Sequence, residues 1–127
     1  ELAEKVPGLR FVIDHIAKPL IARHEMDPWA RDMETVAKIP DMHCKLSGMI
    51  TEAEHAKWTP EDLRPYVQHV LKLFPAERLM FGSDWPVCTL AGSWKQVLAA
   101  CTQACGPIPQ AARNRIMGET AVRFYRL

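Results

Sequence analysis

The chain has 127 residues, of which 48% are hydrophobic, and its formal net charge is +1 at pH 7. This length suits one compact domain with a buried core. The small net charge gives no reason to expect nucleic acid as a partner, because proteins that bind it usually carry a clustered basic face. No apolar run reaches the length of about 18 residues that a membrane-spanning helix needs. Residues 1–6 are typical of the end of a helix rather than of a signal peptide, so we expect a piece of a longer protein.

The cysteines indicate a reducing compartment. They are Cys44, Cys88, Cys101 and Cys105. The last two lie four residues apart on a predicted helix, where their side chains are poorly placed for a disulfide. No neighbouring His-x-x-x-His motif completes a zinc site. We therefore predict buried free thiols in a cytoplasmic protein.

The first predicted strand is the apolar run Phe11–Ile13. Residues 16–25 then form a predicted loop. Asp27 and Pro28 are typical of a helix start, because Asp27 can cap the helix and Pro28 suits its first position. Apolar residues at helical spacing extend this predicted helix to about residue 39.

The second predicted strand is Met42–Leu46, and a loop over residues 49–58 follows it. The clearest helix of the chain comes next. Thr59 can cap this helix and Pro60 fits its first turn, with acidic residues beside the positive end. Its apolar stripe ends at Pro75.

The third predicted strand, Leu79–Phe81, is an apolar run, which is typical of a parallel-sheet strand buried on both faces. Pro86 follows and cannot donate a ladder hydrogen bond, so the strand must end before it. Ser93 can cap the next helix, which Gly106 ends. The final segment is predicted to be helical with an interruption at Gly118.

The three strands begin near positions 11, 42 and 79, which is a βα repeat of thirty to forty residues. A complete (β/α)₈ barrel needs about 250 residues, so three units would be less than half of one. The alternative is a small doubly wound sheet. Both folds place ligands at the C-terminal ends of the strands.

Polar side chains fall near these strand ends. Because side chains alternate across a strand, one consistent arrangement sends His15, Lys45, Ser47 and Asp84 to the same face. In that arrangement His15 shares its face with the odd-numbered residues of the first strand. Because the polar residues at the ends of all three strands can share one face, the sequence favours a functional site there.

Asp84 and His15 can carry out hydrolysis together. Asp84 can take a proton from water that attacks a carbonyl carbon, while His15 orients the water or polarises the carbonyl. The same pair can also bind a divalent metal, although two ligands alone make a poor site. The structural alternatives are an Asx turn at Asp84 and a histidine held by Asp14 or by the backbone.

The remaining candidates are substrate contacts. Lys18 lies in the loop at the mouth, where a cation suits a substrate carboxylate or a developing oxyanion; the alternative is a solvated surface lysine. Lys45 on a core strand needs a partner, which can be structural. Ser47 shares its face, and Trp85 is expected to wall the mouth. The sequence has no Gly-rich phosphate loop, Gly-x-Ser-x-Gly elbow or His-Glu-x-x-His motif.

Four segments together carry a family resemblance. Residues 11–19, 45–48 and 78–86 resemble the last three barrel strands of the amidohydrolase-related lactonases, and residues 116–127 are similar to that family's closing helix. The resemblance implies that residues 1–127 are the C-terminal part of an α/β (β/α)₈ TIM barrel, about three βα units long.

The resemblance also implies a function, the hydrolysis of lactones of sugar acids or of intermediates in aromatic degradation. It implies that Asp84 activates water, that His15 contacts substrate or water, and that Lys18 holds the substrate. Metal use varies in this branch, so no metal is expected to be required, although zinc remains an option. Related zinc enzymes are decarboxylases and deacetylases.

Three hypotheses follow. The His-x-His motif of the family's first strand, and everything through its fifth strand, is absent from these residues. The chain is therefore part of a lactone hydrolase, part of a zinc-dependent decarboxylase or deacylase, or a truncated barrel fragment without catalytic activity. For the two enzymes the partner is a small-molecule substrate. Unpaired strand edges further predict that the isolated piece forms homo-oligomers or lacks the stability of a full barrel.

Overall fold

A three-stranded parallel sheet lies at the centre of the structure, a computed structural model that describes residues 5–6 and 8–127. Its strands, in spatial order, are β1 (Phe11–Ile13), β2 (Met42–Leu46) and β3 (Leu79–Phe81). Ile13 pairs with Cys44, and Cys44 in turn pairs with Leu79, so the C-terminal ends of all three strands meet at one edge. The predicted α/β fold with a parallel sheet is confirmed.

The helices connect and follow the strands. They are α1 (Trp29–Val36), α2 (Pro60–Leu73), α3 (Trp94–Cys105), α4 (Gln110–Asn114) and α5 (Thr120–Tyr125). A π-helical turn, Arg115–Glu119, joins α4 to α5 and contains Gly118, where the sequence predicted an interruption. Within the described residues no helix has the length and apolar character needed to cross a membrane. The sequence predicted the end of a helix over residues 1–6. Residues 1–4 of this segment lie outside the described part of the chain.

Local sequence explains how α2 and α3 begin. The Thr59 N–H donates to the Asp62 carboxylate at 2.7 Å, and the Ser93 hydroxyl accepts from the Gln96 N–H at 3.3 Å. These contacts satisfy backbone or side-chain groups that a helix start would otherwise leave without a partner. Both helices start where the sequence predicted.

The prediction that Asp27 caps α1 is wrong. Pro28 occupies the cap position with helical backbone angles, so Asp27 lies one residue too early to reach the free N–H groups, and no side chain caps the helix. The Asp27 carboxylate instead lies 3.5 Å from the Arg31 guanidinium. The helix ends at Val36, and turns follow where the sequence predicted further helix.

The core lies between the sheet and the first three helices. Its strand and helix residues were expected, but the two predicted loops also contribute fully buried side chains, among them Ile16, Ile21, Met49 and Ile50. All four cysteines are buried and free, as predicted. Burial, with a smaller contribution from the Asp14 charge, raises the pKa of the Cys44 thiol to about 12.

The two faces of the sheet differ in their neighbours. Cys44 and Leu46 point into the helical core, and Lys45 lies on the opposite face. The predicted arrangement is wrong for β1, because Ile13 pairs with Cys44 and packs against the helical core instead of sharing a face with Lys45. Met80 pairs with Lys45 and lies outside the core cluster, as that arrangement required.

Helix α5 packs near the side chains on this second face. The His43 ring lies 4.7 Å from the Phe124 ring, and the Lys45 ammonium lies 5.7 Å from the centre of the Tyr125 ring. The last helix therefore shields part of the polar face of the sheet.

Arg78 ties the start of β3 to the turn between α1 and β2. Its guanidinium nitrogen lies 3.1 Å from the carbonyl oxygen of Ala37, 3.3 Å from that of Met42 and 3.4 Å from that of Ile39. Its carbon also lies 5.2 Å from the centre of the Phe74 ring. A cation here satisfies carbonyls at the end of α1, where the helix dipole is negative.

Replacing this guanidinium should destabilise the fold. We expect Arg78→Met to lower the free energy of unfolding by about 1–3 kcal/mol, because several buried carbonyls lose a charged donor. The control is Arg31→Met, which removes a guanidinium from an exposed helix pair and should cost less than about 0.5 kcal/mol. Urea unfolding of both variants in the whole protein measures the difference, and equal losses would contradict this assignment.

The outer edges of β1 and β3 carry no further strand among the described residues. Such edges present free backbone donors and acceptors, so we expect the isolated 127-residue chain to associate or to melt without cooperativity. Size-exclusion chromatography with light scattering and a thermal melt provide the measurement. A monomer that melts cooperatively would contradict the prediction.

Candidate active site

An open cavity of about 390 Å³ lies at the C-terminal ends of the strands. Its polar lining consists of Asp14, His15, Lys45, Ser47, Asp84 and Tyr125. Four of the six candidates from the sequence thus lie around one space, and they come from all three strand ends. Asp14 and Tyr125 were not among those candidates.

A left-handed turn brings His15 to this cavity. Strand β1 ends at Ile13, and residues 15–18 all have φ between 42° and 58°. The turn redirects the chain, so that His15 faces the cavity while Ile16 is fully buried. Left-handed angles are costly for residues with a Cβ, so surrounding contacts must stabilise them. One such contact is the 2.6 Å hydrogen bond that the Trp29 indole donates to the Ile16 carbonyl.

The His15 ring is held from one side and open on the other. Its Nδ1 lies 3.0 Å from the Ser47 hydroxyl oxygen, within hydrogen-bond distance. Its Nε2 lies 3.7 Å from a carboxylate oxygen of Asp84 and 3.7 Å from one of Asp14. These two gaps are too long for direct hydrogen bonds. The second nitrogen therefore faces two carboxylates at a separation that leaves it free to contact a third group.

Asp84 follows β3, and its carboxylate makes none of the hydrogen bonds found in the turn after this strand. The backbone N–H of Trp85 donates to the Ser83 hydroxyl at 3.3 Å and not to the Asp84 carboxylate. The Asp84 carbonyl accepts from the Cys88 N–H at 2.8 Å. Among the described residues no backbone N–H donates to the Asp84 carboxylate, so the Asx turn considered from the sequence is not formed.

Lys45 has the partners that its position requires. Its ammonium lies 3.1 Å from the Asp14 carboxylate. Desolvation acts to lower the pKa of Lys45, but hydrogen bonds with Tyr125 and Asp14 outweigh it, and the pKa is raised. The lysine therefore stays charged. No sequence pattern pointed to Tyr125, because only the folded chain brings α5 beside β2.

Lys18 and Trp85 stand apart from the cavity lining. The Lys18 ammonium lies 2.7 Å from a carboxylate oxygen of Glu52, and 64% of its side chain is exposed. Trp85 follows Asp84 directly, and 69% of its surface is exposed. Glu52 was not singled out from the sequence, since it lies in a polar loop without a motif.

Two glycines make room for the polar side chains. A Cβ at Gly48, where φ is +63°, would lie 2.7 Å from the His15 ring. A Cβ at Gly82 would lie 3.0 Å from the Ser47 Cβ. The close approach of the loops after β1 and β2 therefore depends on the missing side chain at Gly48.

The residues present do not form a complete zinc site. Across residues 5–6 and 8–127, no group of three or more His, Cys, Asp and Glu side chains is arranged to hold a metal ion. His15 and Asp84 would supply two ligands, whereas zinc in proteins usually has three or four from the protein.

Substituting Gly48 should displace His15 more than it disturbs the fold. We expect Gly48→Ala to shift the His15 imidazole resonances in NMR spectra, because the new methyl group would overlap the ring. The control is Gly8→Ala, which has a φ of +81° but open space around its Cβ, so it reports the backbone strain alone. Unchanged imidazole resonances in Gly48→Ala would contradict the proposed contact.

Comparison with known proteins shows which family the chain belongs to. A family model described as amidohydrolase matches residues 1–127. An L-fucono-1,5-lactonase of Burkholderia ambifaria is 46% identical over 98% of this chain and 44% of its own length. An L-rhamnono-gamma-lactonase of Scheffersomyces stipitis is 28% identical over 100% of this chain and 44% of its own length.

A solved structure has the same fold. The crystal structure of an amidohydrolase from Burkholderia multivorans with bound zinc matches with a TM-score of 0.86 and 35% identity, over 99% of this chain and 47% of that one. The chain thus spans less than half the length of these relatives. With the family model matching throughout, the chain belongs to the amidohydrolase family.

Proposed function

We propose that the whole protein hydrolyses the lactone ring of a sugar acid, and that residues 1–127 form the C-terminal part of its (β/α)₈ barrel. The relatives named as sugar-acid lactonases support the substrate class. The observation that carries the proposal is the 3.7 Å approach of His15 Nε2 to the Asp84 carboxylate at the strand ends. The proposed partner is a small molecule, and a cytoplasmic location stays a prediction.

Asp84 is proposed as the general base. Its carboxylate has no backbone donor among the described residues, and it accepts a proton from water as that water attacks the lactone carbonyl carbon. The carbonyl electron pair moves onto oxygen. When the tetrahedral intermediate collapses, the ring C–O bond breaks, and the departing alkoxide takes the proton from Asp84 to give the open hydroxy acid.

His15 is proposed to orient the water or polarise the carbonyl. If the Ser47 hydroxyl donates to Nδ1, the imidazole proton lies on Nε2 and points toward the space beside Asp84. A donor here can hold the lactone oxygen, while the carboxylate accepts from water. Ser47 thereby fixes which nitrogen of the ring can donate.

The other candidates are proposed to contact the substrate. Lys18 donates to the oxygen that becomes negative during attack, and Lys45 and Ser47 contact polar groups of the ring from the cavity wall. Trp85 offers an exposed indole next to Asp84, and aromatic rings of this kind pack on the apolar faces of small ring substrates.

A zinc-dependent decarboxylase or deacylase is the second candidate, because a related amidohydrolase was crystallised with zinc. In such an enzyme His15 and Asp84 are the described residues that could bind the ion. Activity that is lost on chelation and restored by Zn²⁺ would favour this candidate. Activity that survives chelation would favour the first. The inert-fragment hypothesis predicts no activity in either case.

Removing the base should abolish most of the activity. We expect Asp84→Asn to lower kcat of the whole protein on sugar-acid 1,4- and 1,5-lactones by about 10²–10⁴-fold, because an amide cannot accept the proton. The matched control is Asp32→Asn, which changes an exposed carboxylate on α1 and should leave kcat unchanged. Equal rates for Asp84→Asn and the unmodified protein would remove Asp84 from the mechanism.

A further inference from the structure

The contact between Lys18 and Glu52 joins the loop after β1 to the loop after β2. The side-chain distance is 2.7 Å. The backbone joins the same loops, since the Glu52 carbonyl accepts from the Ala22 N–H at 2.9 Å. Within the second loop, the Glu52 N–H donates to the Met49 carbonyl at 3.1 Å. Glu52 is held firmly, with 21% of its side chain exposed, whereas most of the Lys18 side chain lies in solvent. The less exposed Glu52 carboxylate therefore fixes the position of the more exposed Lys18 ammonium.

Two lysines near the strand ends each have a carboxylate partner. Lys45 is paired with Asp14, and Lys18 is paired with Glu52. The Glu52 hydrogen bond and charge raise the pKa of Lys18, and the Asp84 charge adds to the effect, so Asp84 lies within electrostatic range of this lysine. Asp14, Glu52 and Asp84 together supply three carboxylates against the two ammonium groups of Lys18 and Lys45. Each of these two lysines therefore already has an anionic partner, and a substrate carboxylate would add a further negative charge.

We propose that Glu52 is a specificity-determining residue that makes the site prefer lactones without a carboxylate over lactones that carry one. The inference rests on the proposed function and narrows its substrate class. A substrate carboxylate has to compete with Glu52 for Lys18 while it approaches the negative Asp84. A neutral lactone needs one donor for its carbonyl oxygen, and an ammonium group has three N–H donors, of which Glu52 uses one.

The experiment compares two substrates that share one ring. D-Glucono-1,4-lactone and D-glucaro-1,4-lactone differ in that the second carries a carboxylate where the first carries a hydroxymethyl group. We expect Glu52→Gln in the whole protein to raise kcat/KM for the glucaro-lactone, mainly through KM. The ratio of kcat/KM values should move toward this substrate by roughly 3- to 10-fold, the size of an exposed charge effect.

Two further variants separate this effect from a structural one. Glu54→Gln removes a carboxylate from the same loop, where it lies 3.4 Å from Lys57, and should leave the ratio unchanged. In a Lys18→Met background, Glu52→Gln should no longer change the ratio, because its effect acts through the lysine. Equal losses on both lactones, or a shift that persists in Lys18→Met, would overturn the proposal.

A separate outcome tests the proposed function. If the unmodified protein hydrolyses neither these two lactones nor any other sugar-acid 1,4- or 1,5-lactone, lactone hydrolysis is rejected, and the charge effect is then measured by binding. Calorimetry with D-gluconate and its uncharged polyol, D-glucitol, would compare the unmodified protein with Glu52→Gln. A gain in affinity for gluconate alone would support the role of Glu52 in excluding carboxylates, and no gain would overturn it.

Discussion

The left-handed turn after β1 is the constraint on which the candidate site depends. Residues 15–18 all have positive φ, and this path places the His15 ring beside Asp84 and Ser47. The turn persists because Ile16 is fully buried and its carbonyl accepts from the Trp29 indole. The absence of a side chain at Gly48 leaves the space that the ring fills. Backbone strain at the site is thus offset by core packing beneath it.

Charge pairing organises the cavity above this turn. Asp14 is close to both Lys45 and His15, and Glu52 is paired with Lys18 outside the cavity lining. Lys45 keeps its charge because hydrogen bonds with Tyr125 and Asp14 raise its pKa, and Lys18 because the Glu52 carboxylate raises its pKa. Among the described residues, by contrast, no lysine or arginine lies in direct contact with the Asp84 carboxylate, and no backbone N–H donates to it. A carboxylate in this setting is suited to accept a proton from a bound water.

Sequence patterns were reliable where local forces dominate. The three strands were predicted at their observed positions because short apolar runs between turn residues leave few alternatives. Helices α2 and α3 were predicted from their caps, since Thr59 and Ser93 act on their own neighbours. Asp27 shows the limit: the residue type is right for a cap, but Pro28 already occupies that position, and only the backbone path reveals it. The loops were correctly predicted to be irregular. The sequence did not predict that they contribute buried core residues, namely Ile16, Ile21, Met49 and Ile50.

The sequence by itself determined the α/β class, the parallel order of the strands and the choice of His15, Lys45, Ser47 and Asp84 as groups near the strand ends. These features follow from the apolar pattern and from the shared direction of parallel strands. The tertiary structure alone decided how His15 reaches the cavity, since its turn breaks the alternation that β1 would continue. It also decided the partners of the two lysines, Glu52 and Asp14, because contacts between separate loops leave no periodic signal in the chain.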